Sequence, residues 1–363
     1  MGLVIETGAT STGVGRTPIA VSINSERYFF YAIDIRHNES VVALYDLSAR
    51  RLALDTVRHE SRKRSARKVL SSALDRLDEI AHAEGVQRRS VKGVGLSIPG
   101  VLDRKSGTVM SSAVLQWKNV PVHEIVDEHF SHNVFKTIDK TANDALRAEL
   151  VKGNSLPDNV TGVYVQIAGE VDSAMILDGK ILSGYPYGSG SFGRSPIMLA
   201  NGVSQSVSWQ DLISVEALMA KCGANASEDR NIQKQFLAQL RTQFLRGTRT
   251  AKDAVAHEAR MLAVGFANIF MSLGLPSIIV GGEIREIWDI LQSDVYAECK
   301  RLTAGDFPRA QKIRIMTLSE NESLDGAALD AIGSVVPLEL ISQLAVQQKA
   351  VIEQIAIGAD SQQ

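Results

Sequence analysis

Two stretches of this chain, residues 31–46 and 162–180, carry the same pattern: a run of apolar strand-forming residues, a short polar turn and a second such run. Apolar runs broken by a few turn residues read as β-hairpins. A hairpin of this kind becomes a phosphate cradle when its turn is built of glycine, because only a residue without Cβ lets successive backbone N–H groups come close. Here the turns read Asp34, Ile35, Arg36, His37, Asn38 and Ala168, Gly169, Glu170, Val171, Asp172, Ser173. Side chains there block the approach. The hairpin frames are kept and the glycine chemistry is removed.

The elements around each hairpin repeat. Residues 28–35, 40–46 and 52–58 read as an antiparallel meander. A helix follows over 61–84, with Val69, Leu70, Ala73, Leu74, Leu77, Ile80 and Ala81 at helical spacing on one apolar face. Strands come next at 91–98, which runs into a turn at 99–103, and at 134–139, with a helix at 142–152. The second half has strands at 162–168 and 173–177, a glycine-rich turn region at 184–193, and helices at 209–221 and 228–246. A third helix, 253–273, carries an apolar stripe of Leu262, Phe266, Ile269, Phe270 and Leu273, and precedes a strand at 277–280 that ends in Gly281 and Gly282. Two βββαβα units in tandem predict an α/β protein with the two-lobed actin-like ATPase (ribonuclease H-like) fold and a cleft between lobes. The expected lobes are 19–140 and 141–323, preceded by an entry segment 1–18 and followed by 324–363, a helix returning to the first lobe and a tail.

Composition narrows the class. A chain of 363 residues, 45% of them hydrophobic, can bury two domain cores. No window approaches the roughly 18 consecutive apolar residues of a membrane span, and residues 1–24 lack the basic start and apolar core of a signal peptide, so a cytoplasmic protein without membrane contact is expected. The only cysteines, Cys222 and Cys299, form no CxxC and adjoin no histidine, which reads as two buried thiols. A net charge of −2 gives no overall pull on nucleic acid. The one basic run, Arg62, Lys63, Arg64, Arg67 and Lys68, reads as a solvated helix face, with a nucleic-acid patch as the alternative.

The segments VGLSIPGVLD (94–103), GTVMSSAVLQWKNVP (107–121), ILDGKILSG (176–184), PSIIVGGEI (276–284) and LDGAA (324–328) occur in an order that resembles the ROK family of bacterial sugar kinases and sugar-responsive repressors. The resemblance runs from residue 19 to about 338 and marks Gly281 and Gly282 as the adenosine-side loop. Where it implies a DxGGT phosphate loop, Asp34 is present but Arg36 and His37 take the glycine positions. Where it implies a second loop, LGTGIGGG, the chain reads IAGEVDSA, with Gly169, Glu170 and Asp172. The family's catalytic aspartate falls on Thr141, leaving Asp139 as a weak substitute for a base whose loss typically costs about 10²- to 10⁴-fold. More simply, Asp139 ends a strand and caps the next helix.

The sugar and metal motifs depart as well. The family's GEIGH reads Gly190, Ser191, Phe192, Gly193, Arg194, and residues 203–216 hold no cysteine of the expected zinc run, so neither metal nor cofactor is expected. Val114 stands for the sugar-binding asparagine; Trp117 is kept and reads as core. Departures in both loops, base, sugar carboxylate and zinc run predict a chain without kinase activity, because phosphoryl transfer rests on positioning and charge stabilisation of the phosphates. Residues 2–18 resemble the wing strand and small-residue linker, with Arg16, that join a winged helix-turn-helix to the first lobe of ROK repressors. DNA contact by that route needs a helix-turn-helix upstream of Met1.

The expected function is therefore a ROK-type transcriptional regulator or effector-sensing domain, an oligomer by analogy with the family, answering to a small sugar-like or anionic metabolite. Asp139, Lys140, Asn143, Trp117 and Arg194 are the ligand candidates, and the same residues could instead form an ion-pair network. A non-DNA-binding oligomeric scaffold and a sugar kinase with relocated catalytic residues are the alternatives.

Overall fold

The computed structural model describes residues 2–9, 19–59, 65–153, 156–157, 159–182, 190–198, 206–227, 229–305, 312–318 and 320–338. Arg62, Lys63 and Arg64 of the basic run, Arg16, the turn residues 184–189 and the tail 341–363 lie outside them. The chain forms two compact units, 1–152 with 321–363, and 153–320.

The first unit opens with a two-stranded antiparallel ribbon of β1 (Val4–Ala9) and β2 (Ile19–Ile23). The meander is β3 (Phe29–Ile35), β4 (Glu39–Asp46) and β5 (Arg51–Arg58). The first two strands are buried almost throughout, which is why they read as continuous apolar runs, whereas β5 alternates and keeps charged residues on an edge. Helix α1 (Ala66–Ala83) starts later than its periodicity suggests, at the Ser65 cap, whose Oγ accepts from the Lys68 N–H at 3.4 Å. Strand β6 (Val91–Ser97) pairs parallel with β3. The turn expected at 99–103 instead begins a small antiparallel sheet of β7 (Val101–Asp103), β8 (Thr108–Ser112) and β9 (Trp117–Pro121). After α2 (Val122–His129), β10 (Phe135–Asp139) joins β6 in parallel and leads into α3 (Thr141–Lys152). The sheet order is β10-β6-β3-β4-β5. The C-terminal helix, Glu322–Gly333, packs on α3 so tightly that a Cβ on Gly326 would collide with the Asp144 carbonyl.

The second unit contains β11 (Gly162–Ile167), β12 (Val171–Leu177) and β13 (Lys180–Leu182), then a ribbon of β14 (Pro196–Met198) and β15 (Ser206–Ser208). The helix expected at 209–221 is broken at Ser214 into α4 (Gln210–Ile213) and α5 (Val215–Lys221); the Ser214 hydroxyl caps the second piece by accepting from the Ala217 N–H at 3.1 Å. Next come α6 (Arg230–Leu245), α7 (Arg249–Leu273), β16 (Ser277–Gly281), α8 (Trp288–Leu302) and β17 (Lys312–Ile315). Leu262, Phe266 and Ile269 of the α7 stripe are buried, but Leu273, at the helix end, is exposed. The order β13-β12-β11-β16-β17 repeats that of the first sheet strand for strand. Both sheets therefore carry a hairpin whose first strand also pairs in parallel with the fourth strand of its sheet in chain order, β6 or β16.

Candidate functional site

In the first unit, parallel pairing sets Asp34, Ser97 and Asp139 side by side at the C-terminal ends of β3, β6 and β10, since Ser97 is the register partner of both aspartates. In α/β sheets that end is where ligands are handled. All three side chains are buried.

The first hairpin turn is occupied by its own arginine. Arg36 Nε donates to Asp34 Oδ2 at 2.8 Å, and its Nη2 donates to Asn321 Oδ1 at 3.1 Å, just before the C-terminal helix. Ser323 Oγ donates to the same Asp34 oxygen at 2.9 Å. His37 sits half-buried beside it. The Arg36 guanidinium thus fills the turn where backbone N–H groups would need to be open.

Asp139 is fixed from every side. Its Oδ1 accepts from the Lys140 backbone N–H at 2.8 Å and from Asn143 Nδ2 at 2.7 Å, tying down the start of α3. Its Oδ2 accepts from Arg147 at 2.7 Å and from Arg104, in the β7–β8 turn. Arg104 also grips both Asp330 oxygens of the C-terminal helix, at 3.0 and 2.8 Å, and Arg147 also donates to Asp144. Burial alone would raise the Asp139 carboxyl, but Arg147 and Arg104 outweigh it and hold it below the usual carboxylate range. Complete burial, reinforced by the charges of Asp139 and Asp330, pushes Asp144 well above that range even against Arg147. Asp139 and Asp330 thus set two carboxylates against the two guanidiniums of Arg104 and Arg147. Although Asp139, Asp144 and Asp330 bring oxygens within 4.8 Å of one another, the arginines already serve those groups.

Of the residues expected to meet a ligand, Asp139, Lys140 and Asn143 are brought together, Lys140 as a buried residue at the α3 start. Thr141 begins α3 at the position expected for the base, and Asp139 beside it has no oxygen without a donor. Trp117 is buried in the first unit's apolar core. Arg194 is exposed on a short 3-10 turn of the second unit, Phe192–Arg194. Arg104, Arg147, Asp144 and Asp330 were not foreseen. The available signal was α3 itself, which carries Asn143, Asp144, Arg147 and Glu149 at buried positions and so offers almost no apolar stripe to read.

The second hairpin turn is filled differently. Gly169 lies beneath Gln233, whose Nε2 would be in the way of any Cβ there, and the Val215 N–H at the start of α5 donates to the Ala168 carbonyl at 2.7 Å. Glu170 is exposed and Asp172 half-buried. Ser173 Oγ bonds the Gly190 carbonyl and accepts from the Phe192 N–H at 3.0 Å, fastening residues 190–194 to β12. Gly281 lies against the Tyr164 hydroxyl, and Gly282, at φ +81°, against the Ile167 carbonyl, leaving no room for a Cβ at either.

Two repeats of one sheet order, each led by a hairpin, define an actin-like ATPase fold. The description "ROK family" matches residues 30–333, and the chain belongs to that family. It is 22% identical over 298 residues to the xylose repressor of Caldicellulosiruptor bescii, covering 78% of this chain and 72% of the repressor. Among solved structures it resembles a ROK family transcriptional regulator described as a homolog of the E. coli Mlc protein, with TM-score 0.73, 16% identity and coverage of 95% and 87%. It also resembles a ROK hexokinase from Thermus thermophilus, with TM-score 0.66, 19% identity and coverage of 85% and 100%. Repressors and kinases are thus both among its relatives. Among the described residues no helix is long and apolar enough to cross a membrane.

Proposed function

We propose that this chain is a ROK-type transcriptional regulator that senses a small sugar-like or anionic metabolite and does not transfer phosphate. The observation that carries the reading is the double guanidinium clamp on Asp139. A general base must reach the hydroxyl it deprotonates and needs a pKa near the working pH. Asp139 is buried, held below the usual carboxylate range and engaged on both oxygens, and the neighbouring Thr141 has no carboxyl. The Arg36 plug adds a second obstacle, at the first phosphate turn. The similarity to a protein named for xylose repression makes pentoses, hexoses and their acids the first effectors to try. Effector binding would act by shifting a population between two arrangements of the chain.

The test is thermal unfolding across a panel of sugars, sugar acids and sugar phosphates, alongside ATP turnover with the same panel. A ligand at about 100 times its dissociation constant adds roughly 2.7 kcal/mol and gives a measurable shift. Stabilisation by a panel member without ATP turnover is the expected result. Sugar-dependent ATP turnover lost in Asp139→Ala would instead establish a kinase, and no response to any member would favour a scaffold.

A further inference from the structure

We infer that the second unit holds a separate site for an organic ammonium ion, in the cavity between the end of α5, α6 and the start of α7, with Glu258 as its counter-charge. The cavity measures about 470 Å³, within the range of small-molecule sites. Phe236, Leu240, Ala251 and Ala254 give it an apolar wall, Asp253 stands in its lining, and Cys222 lies at the α5 end.

Glu258 is the independent sign of a ligand. It follows Ala251 and Ala254 at helical spacings of seven and four, so it continues the face of α7 that those two turn to the cavity. Its side chain is 1% exposed, and among the described residues neither carboxyl oxygen has a hydrogen-bond partner. Burial raises its pKa well above the usual carboxylate range even though Lys221, which lines the cavity, pulls the other way. An unpaired buried carboxyl is costly unless donors and a positive charge reach it. An ammonium group brings three N–H donors and that charge together, and its alkyl body suits the apolar wall. Glu258 would then turn toward the cavity and ionise, and Lys221, which is exposed, can keep its charge in solvent.

Cys222 supplies the test. It is exposed, against the expectation of two buried thiols, and although partial burial raises its thiol as well, Cys299 is buried and pushed up to about 12, so thiol–disulfide exchange reports on Cys222. The full chain is equilibrated with bis(6-aminohexyl) disulfide or its 6-hydroxyhexyl counterpart at fixed reductant, and capture is read by intact mass. The amino probe is expected to be captured about tenfold more readily, and Glu258→Gln to reduce that preference to within about twofold. Equal capture of both probes by the wild type, or an amino preference that survives Glu258→Gln, overturns the site. Should Glu258→Gln not fold, free hexylammonium and hexan-1-ol decide on the wild type and Ala254→Leu: an ammonium-specific rise in Tm that the cavity-filling leucine removes supports the site, and any other pattern overturns it.

Discussion

The two hairpin turns sit in the same sheet frame and are filled by different physics. In the first unit closure is ionic: Arg36 lies on Asp34, and two strands along the sheet Arg104 and Arg147 hold Asp139 beside Asp144 and Asp330. In the second unit closure is steric: Gln233 lies over Gly169, and Gly281 and Gly282 press against Tyr164 and Ile167. A charged closure depends on every partner being present, because removing one leaves another charge stranded in a dry site. A steric closure depends on a missing Cβ and is indifferent to charge. The two units should therefore fail in different ways.

The largest effect is expected from Asp139→Ala. It leaves Arg104 and the buried Arg147 with Asp330 as the carboxylate they share, and removing one member of such a set typically costs about 3–5 kcal/mol. Urea unfolding of the full chain should show the loss, and because both arginines depend on Asp139, Arg147→Met should partly relieve it. A cost below about 1 kcal/mol would mean that the clamp is solvated and the ionic description of the first unit is wrong. Gly282→Ala should come next, at about 2–3 kcal/mol, from the positive φ and the collision with the Ile167 carbonyl. Its cost should be insensitive to salt and pH, and a pH-dependent cost would break the contrast between the units.

Charge leaves one trace common to both. Asp144 in the first unit and Glu258 in the second both have pKa values raised by burial. Each folded carboxyl keeps its proton to a higher pH than the unfolded one. Its contribution is therefore whole below the ordinary carboxylate range near pH 4 and is lost as pH rises through the raised folded value. Asp144→Asn and Glu258→Gln have no proton to lose. Relative to wild type, each variant should gain stability as pH rises from about 4 to 8, measured by thermal unfolding at fixed ionic strength. A flat difference for Glu258→Gln alone would show that its carboxyl is already ionised and paired.

The two kinds of closure also differ in how far they could be read from sequence. The turn substitutions were plain in the residues, since Arg36 and His37 stand where glycine would be required, and apolar periodicity gave all five strands of the first sheet but only β11, β12 and β16 of the second. The Asp139 network was not readable, because it joins positions 104, 139, 144, 147 and 330 from four elements, and nothing in local spacing brings Arg104 or Asp330 to a strand end. The small sheet of β7, β8 and β9 was missed for a related reason. Its strands are three to five residues long and its faces mix buried and exposed positions, so the alternation is too short to register. The break between α4 and α5 turns on the single Ser214 cap inside an otherwise helical pattern.

The smallest expected effect is a null, and it sharpens the comparison most. Arg36→Gly returns a glycine to the first turn and removes the guanidinium from Asp34, leaving the Ser323 hydroxyl, at 2.9 Å, as the remaining partner of that oxygen. If the ionic plug were the one obstacle to nucleotide, the variant would gain an ATP- or AMPPNP-dependent rise in Tm. No such rise is expected, because the second turn remains covered by Gln233 and no glycine run there offers N–H groups to a phosphate. Isothermal titration of ATP with magnesium into wild type, Arg36→Gly and the double variant Arg36→Gly, Gln233→Ala measures this directly. Binding gained by the single variant would assign the loss to the first turn alone. Binding that appears in the double variant but not the single one would show the two closures acting in series, and binding in none would place the remaining barrier in the second hairpin, whose turn has no glycine run.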